Sequence, residues 1–242
     1  MSEFLDSSPV SPDAYQHFVA STQFDLGAEW EPQYADWIRS ESMEFLGQHG
    51  PGALLVMPDS FELDRPDVRH RFPDLRNQML DELGDLVWFG FSVAERNGIN
   101  AMDASKHALT NHSVSVEQPL DSFEDLSELV RRRAGDIGVA NKISVLMPEA
   151  DEAIKTTHLN ENPFYVLQRT VARLCRALND TSHEGILPSM TDLEAPTEIM
   201  QAIGDYLNVL AYIASVHLDA DLRSAVSINM AKLQRRQIHG KE

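Results

Sequence analysis

Apolar residues recur every three to four positions along most of this chain, the spacing that gathers them on one face of an α-helix. The pattern predicts helices over 12–22, 33–48, 75–97 and 102–109, separated by polar or Gly/Pro-containing stretches. After a polar stretch around Asn111 to Leu120 it resumes, and helices are expected over 122–134, 163–178, 197–216 and 222–237. Alternating Val, Ile, Thr and aromatic runs of the kind that form hairpins are scarce, so the expected class is all-α, a helical bundle. Only Gly52 to Met57 reads as a short extended piece. Gly47, Gly50, Pro51, Gly52, Pro58, Pro66 and Pro73 break any continuous helix between them and mark a long loop, a length often used for lids or binding segments.

The two groups of helices resemble one another, most clearly in their third and fourth members. DELGDLVWFGFSVAERNGINAMDASKHAL lies against QAIGDYLNVLAYIASVHLDADLRSAVSINM, with Gly84-Asp85 opposite Gly204-Asp205 and one extra residue in the second stretch. Two related units are therefore expected, 11–112 and 121–238. Carried back to the second helices, the same register sets Ala172 opposite Glu41 and Cys175 opposite Glu44, while Ala202 stands opposite Glu82. The second unit keeps the apolar framework and loses three carboxylates.

Those carboxylates are the candidate chemistry. Glu41 and Glu44 are three residues apart, on one face of a helix and within reach of one cation. Glu82 and Asp85 repeat the spacing at the head of Leu83 to Ala94, a run apolar around nearly its whole circumference and so expected to be buried. An ionised carboxylate in such a helix is costly unless it is paired or binds metal. With Gly84 allowing close approach and no basic partner evident nearby, the four carboxylates form a candidate divalent site. Hard oxygen donors suit magnesium or manganese, and no Cys or His cluster at ligand spacing points to zinc.

Composition narrows the partners. The 242 residues, 43% of them hydrophobic, suffice for a substantial core, as one large domain or two small ones. Lys and Arg total 20 against 38 Asp and Glu, and the net charge of -18 repels nucleic acid and anionic membrane surfaces, neither of which is an expected partner. A polyanion can still bind through divalent cations collected by carboxylates. The single cysteine, Cys175, has no internal disulfide partner, and MSEFLDSSPVSPD has neither the basic nor the apolar region of a signal peptide, so a cytoplasmic location is expected. The longest nearly unbroken apolar stretch, Leu86 to Ala94, is well short of the ~20 residues of a spanning helix.

SESME, DELGDLVWF and the opening AYQHFVASTQF resemble the MazG-like all-α nucleoside triphosphate pyrophosphohydrolases, whose pattern is an E-x-x-E helix followed by an E-x-x-D helix. The resemblance covers Ala14 to Leu109 and implies that Glu41, Glu44, Glu82 and Asp85 hold magnesium, with Glu44 or Glu82 as the general base. It implies cleavage of a nucleoside triphosphate to monophosphate and pyrophosphate, a nucleotide-pool house-cleaning activity. Ala108 stands where the family carries the Asn of an Asn-x-x-Lys-x-x-x-Arg signature, but Asn229, Lys232 and Arg236 supply that spacing in the second unit as phosphate contacts. Family members are dimers or tetramers, so two units in one chain imply a tandem pseudo-dimer, one unit catalytic and the other degenerate, with room for a further homodimer. His17, Gln23, Trp37, Trp88 and Phe89 are candidates for base contacts, although aromatic residues at helical spacing are more often core. A dUTPase-like hydrolase and a non-catalytic nucleotide-binding or interaction protein remain alternatives.

Overall fold

The computed structural model describes residues 10–27, 30–49, 72–112, 116, 119–136, 163–181 and 195–239. All regular structure among them is helical: α1 (Pro12–Thr22), α2 (Trp30–His49), α3 (Phe72–Arg96), α4 (Ala101–Asn111), α5 (Phe123–Asp136), α6 (Pro163–Thr181), α7 (Ala195–Tyr212) and α8 (Leu222–His239). Local signals set several ends. Ser11 caps α1 by accepting from the Ala14 N–H, with Pro12 in the first turn where its missing donor costs nothing. α3 closes on Gly98 at φ 65, and two residues later the Asn100 side chain caps α4 by accepting from the Met102 and Asp103 N–H groups. Of the loop expected from Gly47 to Pro73, the described ends are helical, Gly47 lying inside α2 and Pro73 in the first turn of α3, and residues 50–71 lie outside the described residues. The expected extended piece Gly52 to Met57 lies outside the described residues.

α3 and α7 form the centre. From Leu83 to Ala94 and from Ala202 to Ser215 almost every side chain is buried, which explains why both sequences are apolar all round rather than striped. Thr197–His217 is long and apolar enough to pass for a membrane span by composition, a stretch longer than the Leu86 to Ala94 run, and most of it is buried against the other helices. α1, α2 and α8 pack on α3, while α5, α6 and α4 pack on α7. α3 also packs on α7, and α2 on α6. Exchanging α1–α4 with α5–α8 maps this set of packed pairs onto itself, and the last helix of each group lies on the third helix of the other.

The two glycines aligned in the sequence sit at these crossed contacts. A Cβ on Gly84 would stand 2.6 Å from the Ala225 carbonyl oxygen and 2.9 Å from Asn229 Cβ. One on Gly204 would stand 2.1 Å from the Ala104 carbonyl oxygen and 2.7 Å from Ala108 Cβ. Ala104 and Ala108 occupy the aligned places of Ala225 and Asn229. The extra residue of the second stretch is absorbed where α7 widens into a π-helical turn, Ile213–His217, with Leu218 N–H donating to the Ile213 carbonyl. Arg131 donates to the Ser215 and Ala220 carbonyls, and Arg76 donates to those of Leu218 and Asp219, satisfying the groups around this widening.

Candidate metal centre

α2 and α3 bring Glu41, Glu82 and Asp85 together, each half-buried and each offering a carboxylate oxygen within 4.8 Å of the others. Glu44, one turn along α2, is exposed and lies outside this triplet, acting on it through its charge. Burial raises Glu41 above the ordinary glutamate range, and Asp85, Glu44 and Glu82 push it the same way against the opposing pull of Lys232. Burial likewise raises Glu82, where Lys232 opposes and Asp85, Glu44 and Asp81 reinforce the shift. Concentrated, partly desolvated negative charge on hard oxygen donors fits a divalent cation of the magnesium or manganese type.

The expectation of no basic partner is corrected by α8. Lys232 Nζ donates to Asp85 Oδ2 at 2.5 Å and lies 3.4 Å from Asp81 Oδ1. Asn229 Nδ2 donates to Asp85 Oδ1 at 2.8 Å, and the buried Tyr15 hydroxyl donates to Asn229 Oδ1 at 3.0 Å. Burial alone would lower the Lys232 pKa, but its bond to Asp85 and the charges of Asp85 and Asp81 outweigh that and raise it. Asn229 and Lys232 therefore join the carboxylates across the crossed contact at Gly84, whereas Arg236 is exposed one turn farther along α8. Asp81 and Tyr15 were not among the residues marked by spacing. The clue to Asp81 was its position four residues before Asp85 on one helix face.

His17 is exposed on α1 and is not brought to the triplet, and Gln23 donates to the Ser92 carbonyl at the end of α1. Trp37 is half-buried one turn before Glu41, in edge contact with the exposed Phe24 at 5.3 Å. Trp88 and Phe89 are core residues, Trp88 anchored by donating to Thr22 Oγ1 at 3.0 Å. Trp37, on the same helix as Glu41, and the exposed Phe24 thus form an aromatic pair, of which only Trp37 stands out from the sequence.

The aligned place in α4, α6 and α7 differs in charge. Asp205 is buried, its Oδ1 accepting from Gln201 Nε2 at 2.9 Å and lying 2.8 Å from His112 Nε2. Its Oδ2 lies 3.6 Å from Arg173 Nη1. Gln201 and Asn111 bond at 2.6 Å where Asp81 and Lys232 stand in the first place. Tyr34, Ala35, Ile38, Ser42, Phe45 and Leu46 are buried along α2, and Val166, Leu167, Thr170, Leu174, Ala177 and Leu178 are buried along α6 in the same spacing. In that register Arg173 and Arg176, not Ala172 and Cys175, correspond to Glu41 and Glu44. Comparison of the chain with protein-family models, curated proteins and solved structures finds no match.

Proposed function

We propose that this chain is a magnesium-dependent, MazG-like nucleoside triphosphate pyrophosphohydrolase, converting (d)NTPs to nucleoside monophosphate and pyrophosphate. The observation that carries it is the convergence of Glu41, Glu82 and Asp85 oxygens within 4.8 Å on two packed helices. Glu41, Glu82 and Asp85 would hold the metal, with manganese as an alternative ion. When bound there, the ion supplies positive charge to triphosphate oxygens in a protein whose own charge of -18 repels them. Water attacks phosphorus, the α–β phosphoanhydride P–O bond breaks, pyrophosphate leaves and the water proton passes to a carboxylate. Glu44 and Glu82 are the two carboxylates suited to that proton, and Glu44 is the one outside the triplet. Lys232, from α8 beside Asp85, would contact the phosphate chain, and Trp37 with Phe24 would offer an aromatic surface to the base.

The same proposal takes the chain as a tandem pseudo-dimer with one working site. The self-matching set of packed helices, the paired close approaches at Gly84 and Gly204, and the single added residue in the π-helical turn all support common descent of the two units. At the second place Arg173, Arg176 and Ala202 correspond to Glu41, Glu44 and Glu82, so Asp205 faces a guanidinium where Asp85 faces two glutamates. The test is a panel of canonical and damaged (d)NTPs with magnesium, resolving pyrophosphate from orthophosphate. Pyrophosphate with the monophosphate supports the proposal. Turnover confined to dUTP narrows the activity to a dUTPase, while nucleotide binding without turnover, or orthophosphate as first product, contradicts it.

A further inference from the structure

Both oxygens of Asp85 are engaged inside the chain, Oδ1 by the Asn229 amide at 2.8 Å and Oδ2 by the Lys232 ammonium at 2.5 Å. Asp85 is also a member of the triplet whose oxygens converge within 4.8 Å. An ammonium and a divalent ion seek the same carboxylate lone pairs, and side by side in a half-buried seam they repel one another strongly. Lys232 has somewhere else to go. Its side chain is 22% exposed and its stem is flexible, so a released ammonium can turn toward solvent, with the Asp81 carboxylate, 3.4 Å from Nζ, as a looser tether. Asn229 is held by Tyr15 as well as by Asp85, so it stays in place and keeps Asp85 oriented.

We propose that Lys232 is a tethered cation that holds the carboxylate cluster together until a divalent ion displaces it from Asp85, after which the ammonium is presented to the substrate's phosphates. This rests on the function proposed above. Lys232 is then a positioning residue before metal arrives and a phosphate contact afterwards, and metal binding precedes productive triphosphate binding. In the aligned second place the neutral Asn111–Gln201 pair stands where Lys232 and Asp81 pair, so no such exchange is built there.

The test uses the wild-type chain and magnesium alone. Lys232 acylation by an amine-reactive reagent is followed by mass spectrometry with and without saturating Mg²⁺, against Lys106, which is exposed on α4, as the internal reference. Labelling of Lys232 relative to Lys106 should rise about tenfold with metal, the factor that one charge-assisted hydrogen bond represents. Unchanged or slower labelling overturns the inference. In a Mn²⁺ titration followed by electron paramagnetic resonance, Lys232→Met should bind the ion about tenfold more tightly than wild type, since its competitor is gone; equal or weaker binding again overturns it. A wild-type chain that binds no Mn²⁺ sinks this inference and the proposed function together. Bound Mn²⁺ with Lys232 still shielded sinks this inference alone.

Discussion

Glu41 and Glu82 bear the electrostatic strain of the carboxylate cluster. Both are raised above the ordinary glutamate value of 4.5, burial being the largest cause. The folded metal-free chain therefore keeps their protons at pH values where the unfolded chain has already released them. Its stability falls as pH rises from 4.5 through the raised folded values and recovers on acidification across that window. Glu41→Gln should flatten this dependence and raise the metal-free melting temperature at pH 7, while lowering magnesium-dependent hydrolysis by roughly 100-fold or more, beyond the 10- to 100-fold typical of an outer partner of a metal ligand. Thermal unfolding across pH and steady-state kinetics check both parts; a less stable but fully active variant would make Glu41 structural. The aligned aspartates should part company. Asp205→Asn should weaken a buried network with His112 and Gln201 at a cost of ~1–3 kcal/mol in urea unfolding and leave the proposed hydrolysis intact, whereas Asp85→Asn should abolish it. The acidic residues were legible because their three-residue spacing sits at the head of an apolar helix. Lys232 as the partner of Asp85 was not, because the two are 147 residues apart and meet only through the packing of α8 on α3.

The helices meet where small residues permit it. Gly84 and Gly204 let α8 and α4 approach to backbone contact, and at both the obstructing atom is a carbonyl oxygen that cannot rotate away. Gly90 differs, since an added methyl there would meet the flexible end of Leu207 at 2.8 Å. Gly84→Ala and Gly204→Ala should each cost ~1–3 kcal/mol or more in chemical denaturation, with Gly90→Ala below either. A neutral Gly204→Ala would contradict the close packing described. Among the described residues, periodicity alone locates all eight helices to within a few residues, since each buries an apolar face or its whole circumference. It misplaced the register of α6 on α2 by one position, because Val171 and Cys175 are buried where the corresponding Arg39 and Met43 are exposed, which blurs the apolar stripe. That single step hides the arginines of α6 that stand in register with the glutamates of α2.

At the scale of the molecule, neither group of four helices is self-sufficient. Residues 11–112 alone would leave α3 without α8 and α4 without α7, uncovering the close contacts at Gly84 on α3 and at Ala104 and Ala108 on α4. A fragment ending at Leu120 should therefore remain largely unfolded as a monomer by circular dichroism, and should lose Asn229 and Lys232 from the site. A folded fragment with full hydrolytic activity would reduce α5–α8 to a dispensable addition. The Gly-Asp pairs suggest the proposed repeat in sequence, but the packing of each last helix on the other group's third helix is not legible there, since periodicity records which face is buried and not which helix covers it. The most direct measurement on the whole chain is ³¹P nuclear magnetic resonance of a hydrolysable (d)NTP incubated with protein and magnesium, beside the same mixture with Asp85→Asn. The wild type should produce the pyrophosphate and monophosphate resonances together, and chelator or Asp85→Asn in a folded chain should abolish both. Equal turnover by Asp85→Asn, or orthophosphate and a diphosphate in place of pyrophosphate, would contradict a metal-carboxylate pyrophosphohydrolase.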